Sequence, residues 1–255
     1  MKKLIIRVSI ALIILIILGV VAVGLFLDSA VKRGIETVGP MLTKVDVKLN
    51  SVSLSLLSGA GKIKGLVVGN PTGFKTPSSI QVGSGSLALQ PGSVFSDKVI
   101  IKSINLQGPE ITFETDLKGN NLSKLLSNVE AATGGGEQQD PKAAKKAQRK
   151  LQVDDFLITG AKVHVSLTVL GSKSATVALP EIHLSGLGQG PDGITVAELT
   201  KVVLKEVEKA AVQASSSAVA DLTKDAAGLT KGLGTTTSGA ADTVTKGIGG
   251  LFKKN

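Results

Sequence analysis

Alternation of period two dominates the middle of the chain. Val45, Val47 and Leu49 alternate with Asp46, Lys48 and Asn50; the phase then slips at Asn50-Ser51 and resumes with Val52, Leu54 and Leu56. Strict alternation marks a strand with one apolar face, and a slip of one residue marks a bulge or bend within it. Further strands are expected at Lys62–Val68, Ser79–Gln90, Lys98–Gln107 and Glu110–Asp116. The turn signals Ser58-Gly59-Ala60-Gly61, Gly69-Asn70-Pro71-Thr72-Gly73 and Gln90-Pro91-Gly92 separate them. A second set begins at Leu151. It includes Lys162–Val169, with Val163, Val165, Leu167 and Val169 in one phase, then Ser174–Leu179 and Glu181–Leu187.

Helical periodicity appears in three places. Val31, Ile35, Val38 and Leu42 recur at helical spacing within 28–43, and Gly39-Pro40 predicts that this helix stops near Gly39. Asn121 is placed to cap a short helix whose stripe is Leu122, Leu125, Leu126 and Val129. In the third, Thr195 and Glu198 fit a capping box, with Ile194 and Leu199 at the positions of a hydrophobic staple. An amphipathic helix over 194–222 follows, with Val196, Leu199, Val203, Val207, Ala210 and Ala214 on one face. Residues 223–255, rich in Gly and Thr, read as a flexible tail.

Val8–Leu27 is a run of twenty residues without a charge. At about 1.5 Å per residue it matches the ~30 Å of a bilayer core. It is longer than a signal-peptide core of roughly 7–15 residues, so a retained single-pass anchor is expected. Lys2, Lys3 and Arg7 precede it, which places residues 1–7 in the cytoplasm and the rest of the chain across the membrane.

Composition narrows the picture. Aromatics are 2% and all of them are Phe, so the interior must be built from aliphatic side chains. With no cysteine there is no disulfide, thiolate metal site or Cys nucleophile. The net charge of +9 is spread along the chain, with +3 in residues 1–7 and +3 in the Gly-rich and basic linker 134–150. No basic face is interleaved with aromatics, so nucleic acid is not an expected partner.

Catalytic patterns fail as well. His164 and His183, the only histidines, each sit on the polar phase of a strand. Asp154 and Asp155 are adjacent in a strand and point to opposite faces. Gly59-Ala60-Gly61-Lys62 lacks the first glycine and the Ser/Thr of a phosphate loop, and Gly83-Ser84-Gly85-Ser86 lacks the nucleophile-elbow spacing. A non-enzymatic protein without metal or cofactor is expected.

The order of elements resembles the AsmA-like family of Gram-negative envelope proteins. An anchor leads into the helix AVKRGIETVGPML. Then come the hinge SLLSGAGKIKGLVVGNPTGF (55–74), the stretch PGSVFSDKVIIKSINLQGPEITFE (91–114) and the closing GNNLSKLLSNV (119–129). The likeness spans about residues 1–190 and is strongest over 60–130. It implies a mainly β fold with flanking helices: a curved, taco-like antiparallel sheet in halves 44–133 and 151–190, with an apolar inner face. It also implies an inner-membrane protein with its bulk in the periplasm. Such a protein would hold or transfer phospholipid acyl chains for envelope homeostasis. The alternative is an assembly factor that contacts envelope protein partners through a sheet edge or the C-terminal helix. Expected lipid-groove residues are Val47, Leu49, Val99, Ile101, Ile111, Phe113, Val163, Val165 and Leu167. Alternation alone leaves open whether these line a groove or pack beneath the 194–222 helix.

Overall fold

The computed structural model describes residues 14, 26–115, 119–133, 150–167 and 173–232, with backbone alone at 167, 173 and 217–232. Among them no helix is long and apolar enough to cross a membrane. The expected span, residues 8–27, lies outside them except for 14, 26 and 27.

Strands β1 (Val47–Leu54), β2 (Ala60–Gly69) and β3 (Ser78–Leu89) form an antiparallel meander. After a 3₁₀ turn, Pro91–Phe95, strand β4 (Lys98–Gln107) runs back along the second half of β3. Strand β5 (Glu110–Thr115) continues its course along the first half. Helix α2 (Asn121–Thr133) follows; the helix at residues 26–43 is α1. Strands β6 (Lys150–Thr159) and β7 (Lys162–Leu167) repeat the two-part course, and β8 (Lys173–Ala178) with β9 (Ile182–Leu187) returns beside them. The chain then enters α3 (Val196–Gly232). All nine strands belong to one sheet.

The sheet is mixed, which corrects the expectation of an antiparallel one: β4 pairs β6 and β5 pairs β7 in parallel. The chain leaves β5 at one end of the sheet and re-enters β6 at the other, by way of α2 and the segment after it, and such a crossover forces parallel pairing. We call the end holding Leu54, Leu89, Lys98 and Lys150 the near end, and that holding Val47, Gly69 and Thr115 the far end.

A crease divides near half from far half. Across it, every course spends three residues between successive inward-facing positions instead of two: Leu49/Val52, Ile63/Leu66, Val82/Gly85, Leu106/Pro109, Ile158/Ala161 and Leu179/Ile182. These positions are aligned by the strand register. Ile158 with Ala161, and Leu179 with Ile182, are buried in one cluster, so the phase changes while the face does not. Gly65, Gly108 and Gly160 lie on this line with φ of 64°, 58° and 63°, a region side chains with a Cβ rarely adopt. The slip expected at Asn50-Ser51 is thus one stitch of a seam across the whole sheet. Nearer the near end, a second seam repeats the spacing at Ile101/Ile104, Val153/Phe156 and Leu184/Leu187, beside the bulge between Ala88 and Leu89.

Helix α1 seals one edge. Asp28, Lys32 and Glu36 are spaced four apart, on one stripe of the helix. The Leu54 N–H donates to Asp28 Oδ1 at 2.7 Å, and Lys32 Nζ donates to the Asn50 carbonyl at 3.1 Å. The Leu49 N–H donates to Glu36 Oε1 at 3.1 Å. Side chains thus take the place of a further strand on β1. The same anchorage carries α1 past Pro40 to residue 43, where the sequence predicts a stop near Gly39. Thr43 Oγ1 donates to the Gly39 carbonyl at 2.8 Å, and Lys44, with φ of 58°, ends the helix.

Helix α3 begins as expected. The Glu198 N–H donates to Thr195 Oγ1 at 3.1 Å, and the Thr195 N–H donates to Glu198 Oε2 at 2.8 Å. The Thr195 N–H, and after it the Thr195 hydroxyl, which donates to the same Oε2 at 2.8 Å, hold the Glu198 carboxyl below its usual range. Capping of α2 differs from expectation. Asn120 Oδ1 accepts the Ser123 N–H at 2.8 Å, while the buried Asn121 turns away to tie β5 to the loop after β2. Helices α2 and α3 lie antiparallel, joined by Ser123 with Glu208 and by Lys201 with Glu130 at 3.5 Å.

Candidate functional site: a half-covered apolar face

The inner face is apolar along its full length, in rows that cross the sheet. In the far half one row is Val47, Val68, Ile80, Ile111, Val163 and Val177, and the next includes Phe113 and Val165. In the near half one row is Val52, Ile63, Gly85, Leu106, Ile158 and Ile182, and the next is Leu54, Gly61, Leu87, Ile104, Phe156 and Leu184. Beyond the second seam come Leu89, Ile101, Val153 and Leu187.

The helices cover these rows unequally. Helix α3 lies over β5, β7 and β8, and α2 over β5, all in the far half; α3 touches β9 at its margin. Ile111, Phe113, Val163 and Val165 are accordingly buried in one cluster with Leu122, Val207, Ala210 and Ala211. Alanines at 210 and 211 bring the α3 backbone close to the sheet. In the near half, Val52, Val153, Phe156, Ile158 and Ile182 are buried as well, while Leu54, Ile63, Leu87, Leu89, Ile101, Ile104, Leu106, Leu184 and Leu187 remain partly exposed. Leaving this many aliphatic side chains in register and partly exposed is costly in water, at about 25 cal/mol for each Å² exposed. Contiguous apolar surface of this kind marks a binding face.

The expected groove residues therefore divide. Val47, Leu49, Ile111, Phe113, Val163 and Val165 are buried, the last four under the helices, so they form closed core. Val99 and Ile101 lie on the open half, and the side chain of Leu167 is outside the described residues. The residues missed by sequence reasoning are Leu54, Ile63, Leu87, Leu89, Ile104, Leu106, Leu184 and Leu187. Their alternation is as clean as that of the buried set, and only the position of α3 separates the two.

The outer face offers different chemistry. Lys62, Ser86 and Asn105 form one polar row and Lys64, Ser84 and Gln107 the next, around a shallow hollow of about 390 Å³. Farther across, Gln152 and Lys102 both hydrogen-bond Asp154, at 2.7 and 2.9 Å, and hold its carboxyl below the usual range, the Gln152 amide contributing most. His183 pairs with Asp155, and His164 with Thr176 at 3.0 Å; Asp154 and Asp155, expected on opposite faces, thus both lie outside, because the second seam sets them between the inward-facing Val153 and Phe156. Among the described residues no three His, Cys, Asp or Glu side chains converge to hold a metal.

No curated protein matches this chain. The model of one family, described as the AsmA family, matches residues 1–227, which takes in the whole sheet and most of α3. The creased sheet, its sealing helix and the helix that plugs its far half are thus the body of the family's own unit, and the chain belongs to the AsmA family.

Proposed function

We propose that this chain is a membrane-anchored envelope protein that shelters a phospholipid acyl chain on the open near half of its inner face, without performing chemistry. Family membership points to the envelope. One observation carries the rest: a continuous apolar face that is buried through the far half and along Val153, Phe156, Ile158 and Ile182, but stays partly exposed over the near ends of β1 to β4. The lining is aliphatic apart from Phe156 and offers a lipid tail no polar partner. From Val99 to Leu106 it extends about 23 Å at ~3.3 Å per residue. That exceeds the ~15 Å depth of one leaflet, half of a ~30 Å hydrocarbon core. Closure of the far half by α3 gives the trough a blind end, which suits holding a chain better than conducting one past.

Lipid retention tests this reading. The full chain, extracted in mild detergent, is expected to carry bound phospholipid in native mass spectrometry. Leu87→Gln with Ile104→Gln is expected to remove most of it while the dichroism spectrum stays that of the parent. A parent protein free of lipid, or a folded double variant that keeps it, would falsify the proposal.

A further inference from the structure

The three most exposed large apolar side chains among the described residues are Leu57 at 82%, Phe95 at 77% and Phe26 at 74%. They are far apart in sequence and gather at one end of the fold. Leu57 tips the β1–β2 turn. That turn touches the segment leading to Phe95: the Leu89 N–H donates to the Gly59 carbonyl at 2.7 Å, and a Cβ on Gly59 would lie 3.3 Å from Pro91 Cδ. Phe26 stands two residues before Asp28, whose carboxylate holds the Leu54 N–H at the foot of the same turn. All three sit at the near end, where the open trough also ends.

Charge at this end points the same way. Lys98 and Lys150 face each other across β4 and β6; Lys98 Nζ donates to the Gly190 carbonyl at 2.7 Å, and neither lysine makes an ion pair among the described residues. The acids nearby are Asp97, whose carbonyl accepts the Lys150 N–H, Asp192 in the loop before α3, Glu198, which feels the charge of Lys150, and Asp154, which feels that of Lys98. The expected membrane span, Val8–Leu27, includes Phe26 and ends directly before Asp28. We propose that the near end docks on the bilayer itself, seating Leu57 and Phe95 among the headgroups so that the trough opens onto an anionic lipid surface. Amphipathic rims of this kind bind by apolar insertion backed by Lys and Arg. The inference builds on the trough reading, but its test does not depend on the trough being filled.

The chain contains no tryptophan and no tyrosine, so one introduced indole reports alone. Leu57→Trp, Phe95→Trp and, as a far-end control, Thr72→Trp are placed singly in the full chain. Each is reconstituted into phosphatidylcholine–phosphatidylglycerol vesicles whose acyl chains carry bromine near the carbonyl. Positions 57 and 95 are expected to show blue-shifted emission that the bromolipid quenches, and position 72 neither. The same quenching is expected at position 95 in the Leu87→Gln, Ile104→Gln background, so loss of the trough reading leaves this result standing. Quenching at 57 and 95 no stronger than at 72 overturns the docking.

Discussion

Phe113→Ala will destabilise the folded domain by about 3–5 kcal/mol, the usual cost of truncating a buried phenylalanine. Phe113 is 2% exposed, paired with Val165 on the inner face, and belongs to the cluster that α3 closes with Val207, Ala210 and Ala211. Neighbours on both sides are fixed, by the β5–β7 ladder and by a helix tied to α2 at two points, so the hole cannot collapse. Domains of this class have only about 5–15 kcal/mol to lose. A loss of this size should lower the midpoint of thermal unfolding by roughly 6–20 °C. The contrast that matters is Ile104→Ala, in a row of equal apolarity but only partly buried at the edge of the same cluster, which should cost well under half as much. Dichroism-monitored unfolding of the full chain in detergent measures both. Equal costs would mean that the two halves are covered alike, and the division of the inner face would be wrong.

Glu114→Ala should cost a similar amount, about 3–5 kcal/mol, because it strips partners from several buried donors at about 1–3 kcal/mol each. Glu114 is 2% exposed. Its Oε1 accepts the Lys75 N–H at 2.7 Å, and its Oε2 accepts the Thr76 N–H at 2.9 Å and the Thr76 hydroxyl at 2.7 Å. Asn70 reaches the same oxygen at 3.3 Å and is itself held by Asn121 at 2.9 Å. One carboxylate thus folds the loop between β2 and β3 onto β5. Glu114→Gln keeps the shape but turns an amide donor towards N–H donors, so it should rescue little. Amide exchange at 75 and 76 should rise in both variants, and unchanged protection there would show that the loop stands without Glu114.

How much of this was legible in the residues varies by element. The capping box at Thr195 and Glu198 is a local device, and it formed as the spacing predicts. The seam was legible in principle: slips of three residues recur at 49/52, 63/66, 82/85, 158/161 and 179/182. A slip within one strand looks like an irregularity, however, and its meaning appears only when register aligns it with its neighbours. Asn120 and Asn121 are equivalent by local rules, and tertiary demand for Asn121 by Glu114 and Asn70 decided which of them caps α2. Pro40 shows the same override, since three side-chain bonds along β1 hold α1 in place where propensity alone would end it. Parallel pairing of β4 with β6 depends on where a crossover returns, which no local pattern encodes. For the candidate site, period two identifies the apolar phase equally well under a helix and beside an open trough. The nine groove residues expected from sequence therefore mixed the two environments.

A photoreactive residue placed in turn along one inner course tests the central claim most directly. With the full chain in labelled phospholipid, positions 104 and 106 should crosslink lipid strongly, and positions 111 and 113 should crosslink the chain's own helices instead. Lipid labelling that is uniform along the face, or absent from 104 and 106, would contradict the half-covered trough.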